Sequence, residues 1–180
     1  MLSYKGPCLA LALLPALLAP LGGCGFEPLY AKSVQAEYDP ILAAIKIARI
    51  ANPADQPEAI GIRLLQDLRE RLNPHNETVE PQYILHVTLN VARHDLGITR
   101  SATASRSEVT VAAAYYLTTA HGDERVWSSQ SNSSSLFNIL DDGYATQIAF
   151  DNATQLAVDD VSRDIELRLA FFARNRRDHS

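Results

Sequence analysis

At 180 residues, with 47% hydrophobic and 21% charged side chains, the chain has enough apolar material for one domain with its own core and too much to remain disordered. A formal charge of −5 argues against broad attraction to nucleic acid or anionic lipid, so any anion has to be met by a local patch. Glycine and proline contents are ordinary and no internal repeat is present, which sets fibrous and solenoid architectures aside.

In chain order the first element is a targeting segment. Lys5 precedes a 15-residue apolar stretch, Cys8 to Gly22, that runs into Leu21-Gly22-Gly23-Cys24. A positive start, a Leu/Ala-rich middle, small residues before the cut and a cysteine after it describe a bacterial lipobox. A transmembrane anchor is the competing reading, but it needs about 20 apolar residues, and Pro15 and Pro20 break this shorter run. Cleavage would remove residues 1–23 as a lipoprotein signal peptide and leave Cys24 first, carrying an S-diacylglycerol and an N-acyl group. Two or more acyl chains, at roughly 0.8 kcal/mol per buried methylene, hold a protein on a membrane face. Gly25 stands where an aspartate signals inner-membrane retention in lipoproteins generally, so the expected destination is the periplasmic face of the outer membrane. Cys8 leaves with the signal, so no disulfide or cysteine-ligated metal is expected, and no cofactor beyond the lipid on Cys24.

Residues 24–40, with Pro28, Pro40 and little periodicity, read as a lipidated N-terminus and tether, and residues 41–175 as one folded domain. The isoleucine-rich run Ile45 to Ile50, bounded by Pro40 and Asn52-Pro53, suits a first strand. Ile60, Leu64, Leu65, Leu68 and Leu72 then fall at helical spacing, predicting a helix over about 56–73 that Asp55 or Gln56 caps and Asn73-Pro74 ends. Tyr83, Leu85, Val87, Leu89 and Val91 alternate with mostly polar residues, as do Val109, Val111, Ala113, Tyr115 and Leu117, giving two half-buried antiparallel strands. A turn at His121-Gly122-Asp123 makes a hairpin with Val126-Trp127-Ser128, and Ser128 to Ser135 continues as a polar strand or loop, read as a solvated edge. From Ala149 through Leu156, Ile165 and Phe172 a long amphipathic helix runs to about Arg174, with a frayed tail that includes residues 176–180. The order predicts an α+β fold: a two-layer sandwich whose mostly antiparallel sheet of about four strands is covered on one face by two helices.

No hydrolase elbow, zincin, phosphate-loop or dinucleotide-binding motif occurs, so no enzyme is expected. The five histidines lack paired metal spacing and read as surface residues. His94-Asp95 with a serine is no triad without geometry, and Asp141-Asp142 and Asp159-Asp160 read as a turn and a solvated helix face. Three N-glycosylation patterns, at Asn76, Asn132 and Asn152, would matter only in a eukaryotic secretory route. Arg93, His94, Arg100 and Arg106 gather on or between the two alternating strands, locally opposed by Asp95 and Glu108, while Arg125 stands beside the hairpin turn. Guanidinium groups suit phosphate or carboxylate, although a solvated hairpin end accounts for the same residues.

The run Cys24-Gly25-Phe26-Glu27-Pro28-Leu29-Tyr30 resembles the Cys-Gly-Phe-x-Pro-Leu-Tyr start of the LPS-assembly lipoprotein family, LptE, of alphaproteobacterial type. The order of elements over the mature chain is similar too. The resemblance implies a small non-enzymatic outer-membrane lipoprotein that plugs and supports the β-barrel translocon LptD and helps lipopolysaccharide reach the outer leaflet, binding it non-covalently. It carries over only Cys24, as the lipid attachment site. Arg93, Arg100, Arg106 and Arg125 are candidates for the phosphates or acidic sugars of LPS on charge and position alone. The alternative is a generic outer-membrane lipoprotein that acts as a structural or assembly partner in another envelope machine.

Overall fold

A computed structural model describes residues 40–53, 56–98 and 104–177, which belong to one compact unit, Tyr38–Ser180. The expected signal peptide and nearly all of the tether lie outside these residues. The elements are α1 (Pro40–Ala43), β1 (Ile45–Ile47), α2 (Glu58–Leu72), β2 (Tyr83–Ile98), β3 (Ala104–Thr119), β4 (Gly122–Asn138) and α3 (Gly143–Arg177). The strands form one sheet in the order β1-β2-β3-β4, with β1 parallel to β2 and the other pairs antiparallel. This is the α+β sandwich expected, with the single turn α1 as a third helix.

Strand alternation decides which side chains enter the core. In the register Leu85↔Leu117, Val87↔Tyr115 and Leu89↔Ala113, the odd-numbered residues of β2 and β3 share one face. There they pack with Leu64, Leu68 and Leu72 of α2 and with Ala157, Val161, Ile165 and Leu169 of α3. Both long helices therefore lie on one side of the sheet, joined by Arg71 of α2 to Glu166 of α3 at 3.3 Å and by Arg63 to Asp159 at 3.6 Å. The even-numbered face has no described helix over it.

Four boundaries differ from those read in the sequence, each for a local reason. The first strand leaves its ladder at Ile47, yet Ala48 N–H donates to Leu85 O and Ala51 bonds to Val87 and Leu89, so the chain keeps tracking β2 to Ala51. Gln56 does not cap α2, whose N-cap, Pro57, makes no side-chain hydrogen bond. Its amide instead stands in for a strand, accepting from Val91 N–H at 3.0 Å and donating to Val91 O at 3.0 Å. Helix α3 begins at Gly143 rather than near Ala149, because Asp142 Oδ1 accepts the Tyr144 N–H at 2.8 Å and starts the helix ahead of its apolar stripe. It also continues through the expected tail to Arg177, with Arg174, Arg176 and Arg177 in its last turn, where cations offset the helix dipole. At 1.5 Å per residue its 35 residues span roughly 52 Å.

The serine run is an edge strand, but its odd-numbered half is not solvated. Ser131 is buried beneath α3, donates to Asp164 Oδ2 at 2.5 Å and pairs with the Tyr115 hydroxyl at 2.8 Å; Ser133 reaches Asp160 at 3.3 Å. Burial raises the Asp164 pKa, and the hydrogen bonds from Ser131 and Arg168 outweigh it, holding the carboxyl below its ordinary value. Burial pushes the Tyr115 hydroxyl up, so it stays a protonated partner.

Candidate functional site

Register distributes the candidate arginines. Arg93 sits opposite Val109 in the odd-numbered, helix-side set, whereas Arg106 pairs with Leu96 and Asn138 in the even-numbered set. They share one end of the sheet but point to opposite faces. The Arg93 guanidinium lies 5.2 Å from the centre of the Phe137 ring and donates through Nε to Asp95 at 3.2 Å. Asp95 also accepts a short hydrogen bond from buried Ser107, and these two donors, Ser107 first, hold its pKa below the ordinary value. Arg106 is exposed. Glu108, opposite His94, adds an acidic group, so this end is mixed in charge rather than basic.

Arg125 belongs to the other end, opposite Thr118. Twelve positions on β3 separate Thr118 from Arg106, roughly 40 Å at about 3.3 Å per residue. Its guanidinium lies 4.0 Å over the Tyr116 ring, which stacks on His86 at 4.7 Å and 10°. His86 is thus not a plain surface histidine: it is half-buried and its Nε2 lies 3.3 Å from Thr118 Oγ1. Cys24 and Arg100 lie outside the described residues. The four arginines therefore do not form one described patch.

The same pleat disposes of the hydrolytic arrangement considered from sequence. His94 and Asp95 are consecutive on a strand and face opposite sides, so the Asp95–Ser107 pair has no histidine beside it from position 94. What sequence reasoning missed is the polar seam under α3, Tyr115–Ser131–Asp164–Arg168, whose Asp164–Arg168 contact is 2.7 Å. Its only sequence signal is a period of two in the serines, matched by acidic residues four apart on the helix. Among the described residues no three His, Cys, Asp or Glu side chains converge as a metal site, and no helix is long and apolar enough to cross a membrane.

Comparison with known structures places this architecture. A lipoprotein from Caulobacter crescentus matches at 19% identity over 77% of this chain and 96% of its own, with a TM-score of 0.61. The rare lipoprotein B from Shewanella oneidensis matches at 12% identity over 73% and 98%, with a TM-score of 0.52, and a minor lipoprotein from Acinetobacter baumannii at 13% over 74% and 93%, also 0.52. At these identities the likeness is one of fold. No curated protein matches the chain. A family model, in contrast, matches residues 42–169, from the first described turn almost to the end of α3 and well over half of the sequence, and by that match the chain belongs to the LptE lipopolysaccharide-assembly family.

Proposed function

We propose that this protein is an outer-membrane lipoprotein, held at the periplasmic face by acyl chains on Cys24, that plugs and supports the translocon barrel LptD and helps assemble lipopolysaccharide in the outer leaflet. The observation that carries the reading is the family match over residues 42–169. The described unit is compatible with it: the sheet carries its long helices on one face and leaves the other, polar face bare of described helices, and a polar surface suits the polar interior of a barrel. The chemistry is binding alone, with no bond made or broken, so the protein is not an enzyme. Lipopolysaccharide phosphates or acidic sugars are met by Arg93, Arg100, Arg106 and Arg125. Arg106 is exposed to an incoming anion, whereas Arg93 has to exchange Asp95 for it.

The test is affinity purification of the tagged full chain from detergent-solubilised envelopes, with mass spectrometry of what comes with it. One large β-barrel protein in comparable amount, with lipopolysaccharide, is expected; recovery without a barrel protein overturns the reading. Cys24→Ala should release the chain from the membrane fraction, and an acyl label that persists on that variant would overturn the anchor.

A further inference from the structure

The even-numbered face of the sheet offers a different chemistry from the arginines. Register lays three successive cross-strand rows there: Thr88–Ala114–Gln130, Asn90–Ala112–Asn132 and Ala92–Thr110–Ser134. No side chain in these rows carries a charge, and none is aromatic or bulky and apolar. Charged and aromatic groups resume only at the flanks, with His86, Tyr116 and Arg125 on one side and His94 and Glu108 on the other. The first two rows line a shallow trough of about 290 Å³, floored by Ala112 and Ala114 and walled by Thr88 and Asn90 on β2 and by Gln130 and Asn132 on β4. All four wall residues are exposed. Gln56 Nε2 donates to Asn90 Oδ1 at 2.8 Å, which fixes that amide and leaves its Nδ2 as a donor for a ligand.

The composition narrows the occupant. With no charge, the trough lacks the charge-assisted donors that hold a phosphate, an anionic headgroup or an acidic peptide tightly. Without a large apolar or aromatic anchor it lacks the hot-spot centre of a tight protein–protein contact, and a polar barrel wall can face it across water without filling it. Side-chain amides present a donor and an acceptor side by side, the pattern that neighbouring hydroxyls on a sugar ring satisfy, and alanine methyls accept the ring's C–H face. We infer that the trough binds an uncharged stretch of glycan. Resting on the function proposed above, this is the neutral part of the lipopolysaccharide core, met on a surface separate from the arginines that take its charged groups.

The experiment uses the full-length lipidated protein in detergent, titrated with core oligosaccharide released from lipopolysaccharide by mild acid, then dephosphorylated and carboxyl-reduced so that it carries no charge, and read by saturation-transfer NMR. Transfer to the sugar protons is expected. Ala114→Trp, which fills the trough from an exposed position, should weaken binding by about tenfold or more, while Leu167→Ala, on the exposed side of α3, leaves it unchanged. Circular dichroism checks folding, and Gln130→Ala/Asn132→Ala is the second variant should tryptophan disturb the sheet. Intact lipopolysaccharide that binds while the oligosaccharide does not would overturn the trough and leave the proposed function standing. Loss of both would overturn both. Oligosaccharide binding indifferent to both trough variants, or an Ala114→Trp variant that keeps the sugar and loses its barrel partner, would overturn the trough as a glycan site.

Discussion

Ser131→Ala tests whether hydrogen bonds hold the β4 side of the sandwich. Ser131 is 4% exposed, and its hydroxyl joins Tyr115 on β3 to Asp164 on α3, at 2.8 and 2.5 Å. A hydrogen bond to a charged group contributes about 1.5–3 kcal/mol, and a buried hydroxyl left without its partner costs about 1–3 kcal/mol. Asp164 keeps Arg168 at 2.7 Å and some contact with water, and the Tyr115 hydroxyl keeps Ser129 as a second partner, so the low ends apply and the variant should lose about 2 kcal/mol. Acid provides a signature that a packing defect would lack. The folded-state pKa of Asp164 is lowered, so its contribution is complete above the unfolded value, about 3.9, and is lost as pH falls through the folded one. The gap between wild type and variant should therefore be wide at pH 7 and narrow once the carboxyl is protonated. Urea unfolding of the full chain, followed by Trp127, the single tryptophan, whose ring centre lies 5.8 Å from that of Tyr115, measures both. A cost at pH 7 below about 0.5 kcal/mol, the range of an ordinary surface substitution, or a gap unchanged in acid, would refute the argument.

Three further outcomes are expected. Leu169→Ala, at a position fully buried between helix and sheet, should cost about 2–5 kcal/mol in thermal unfolding, whereas Leu167→Ala, 55% exposed two residues earlier, should stay within about 0.5 kcal/mol. Asp142→Ala should cost about 1 kcal/mol and speed amide exchange over 143–148, moving the effective start of α3 toward Ala149. Arg93→Glu/Arg106→Glu should weaken lipopolysaccharide binding more than Arg125→Glu, because it reverses two charges at one end of the sheet, one of them on exposed Arg106, without changing the folded signal; equal binding by all variants would remove the arginines from the site.

The parts of the fold legible in the sequence are those that one element decides alone. Leu64, Leu68 and Leu72 mark the buried stripe of α2, and the alternation from Tyr83 to Val91 and from Val109 to Leu117 marks the inner face of β2 and β3, because period and burial coincide there. The start of α3 was masked by its own pattern: Asp142 caps the helix several residues before the first apolar contact, so the stripe marks where the helix packs rather than where it begins. The site was harder still. Arg93 and Arg106 look like neighbours along a hairpin, yet the pairing His94↔Glu108 sets even positions opposite even and odd opposite odd, which sends the two arginines to opposite faces. Only the register, which no single strand specifies, separates them.

The serine strand joins these observations. At its ends β4 turns Trp127 and Phe137 toward the apolar clusters, while the inward positions between them, 129 to 135, are all serine. An apolar residue at those positions would pack well against a helix with leucine or valine above it, but α3 presents there the more exposed Asp160, which Ser133 reaches, and Asp164, whose partly covered carboxylate needs a donor. Serine supplies one with the smallest side chain that can, so helix and strand approach closely around a polar seam instead of a continuous core. The same strand turns Ser128, Gln130, Asn132 and Ser134 to the opposite face. Thus β4 is hydrophilic on both sides for two different reasons: inward to satisfy the aspartates of α3, and outward to form the uncharged wall of the trough. Hydropathy alone describes such a strand as a solvated loop, and only its partners on the two faces distinguish a seam from a binding surface.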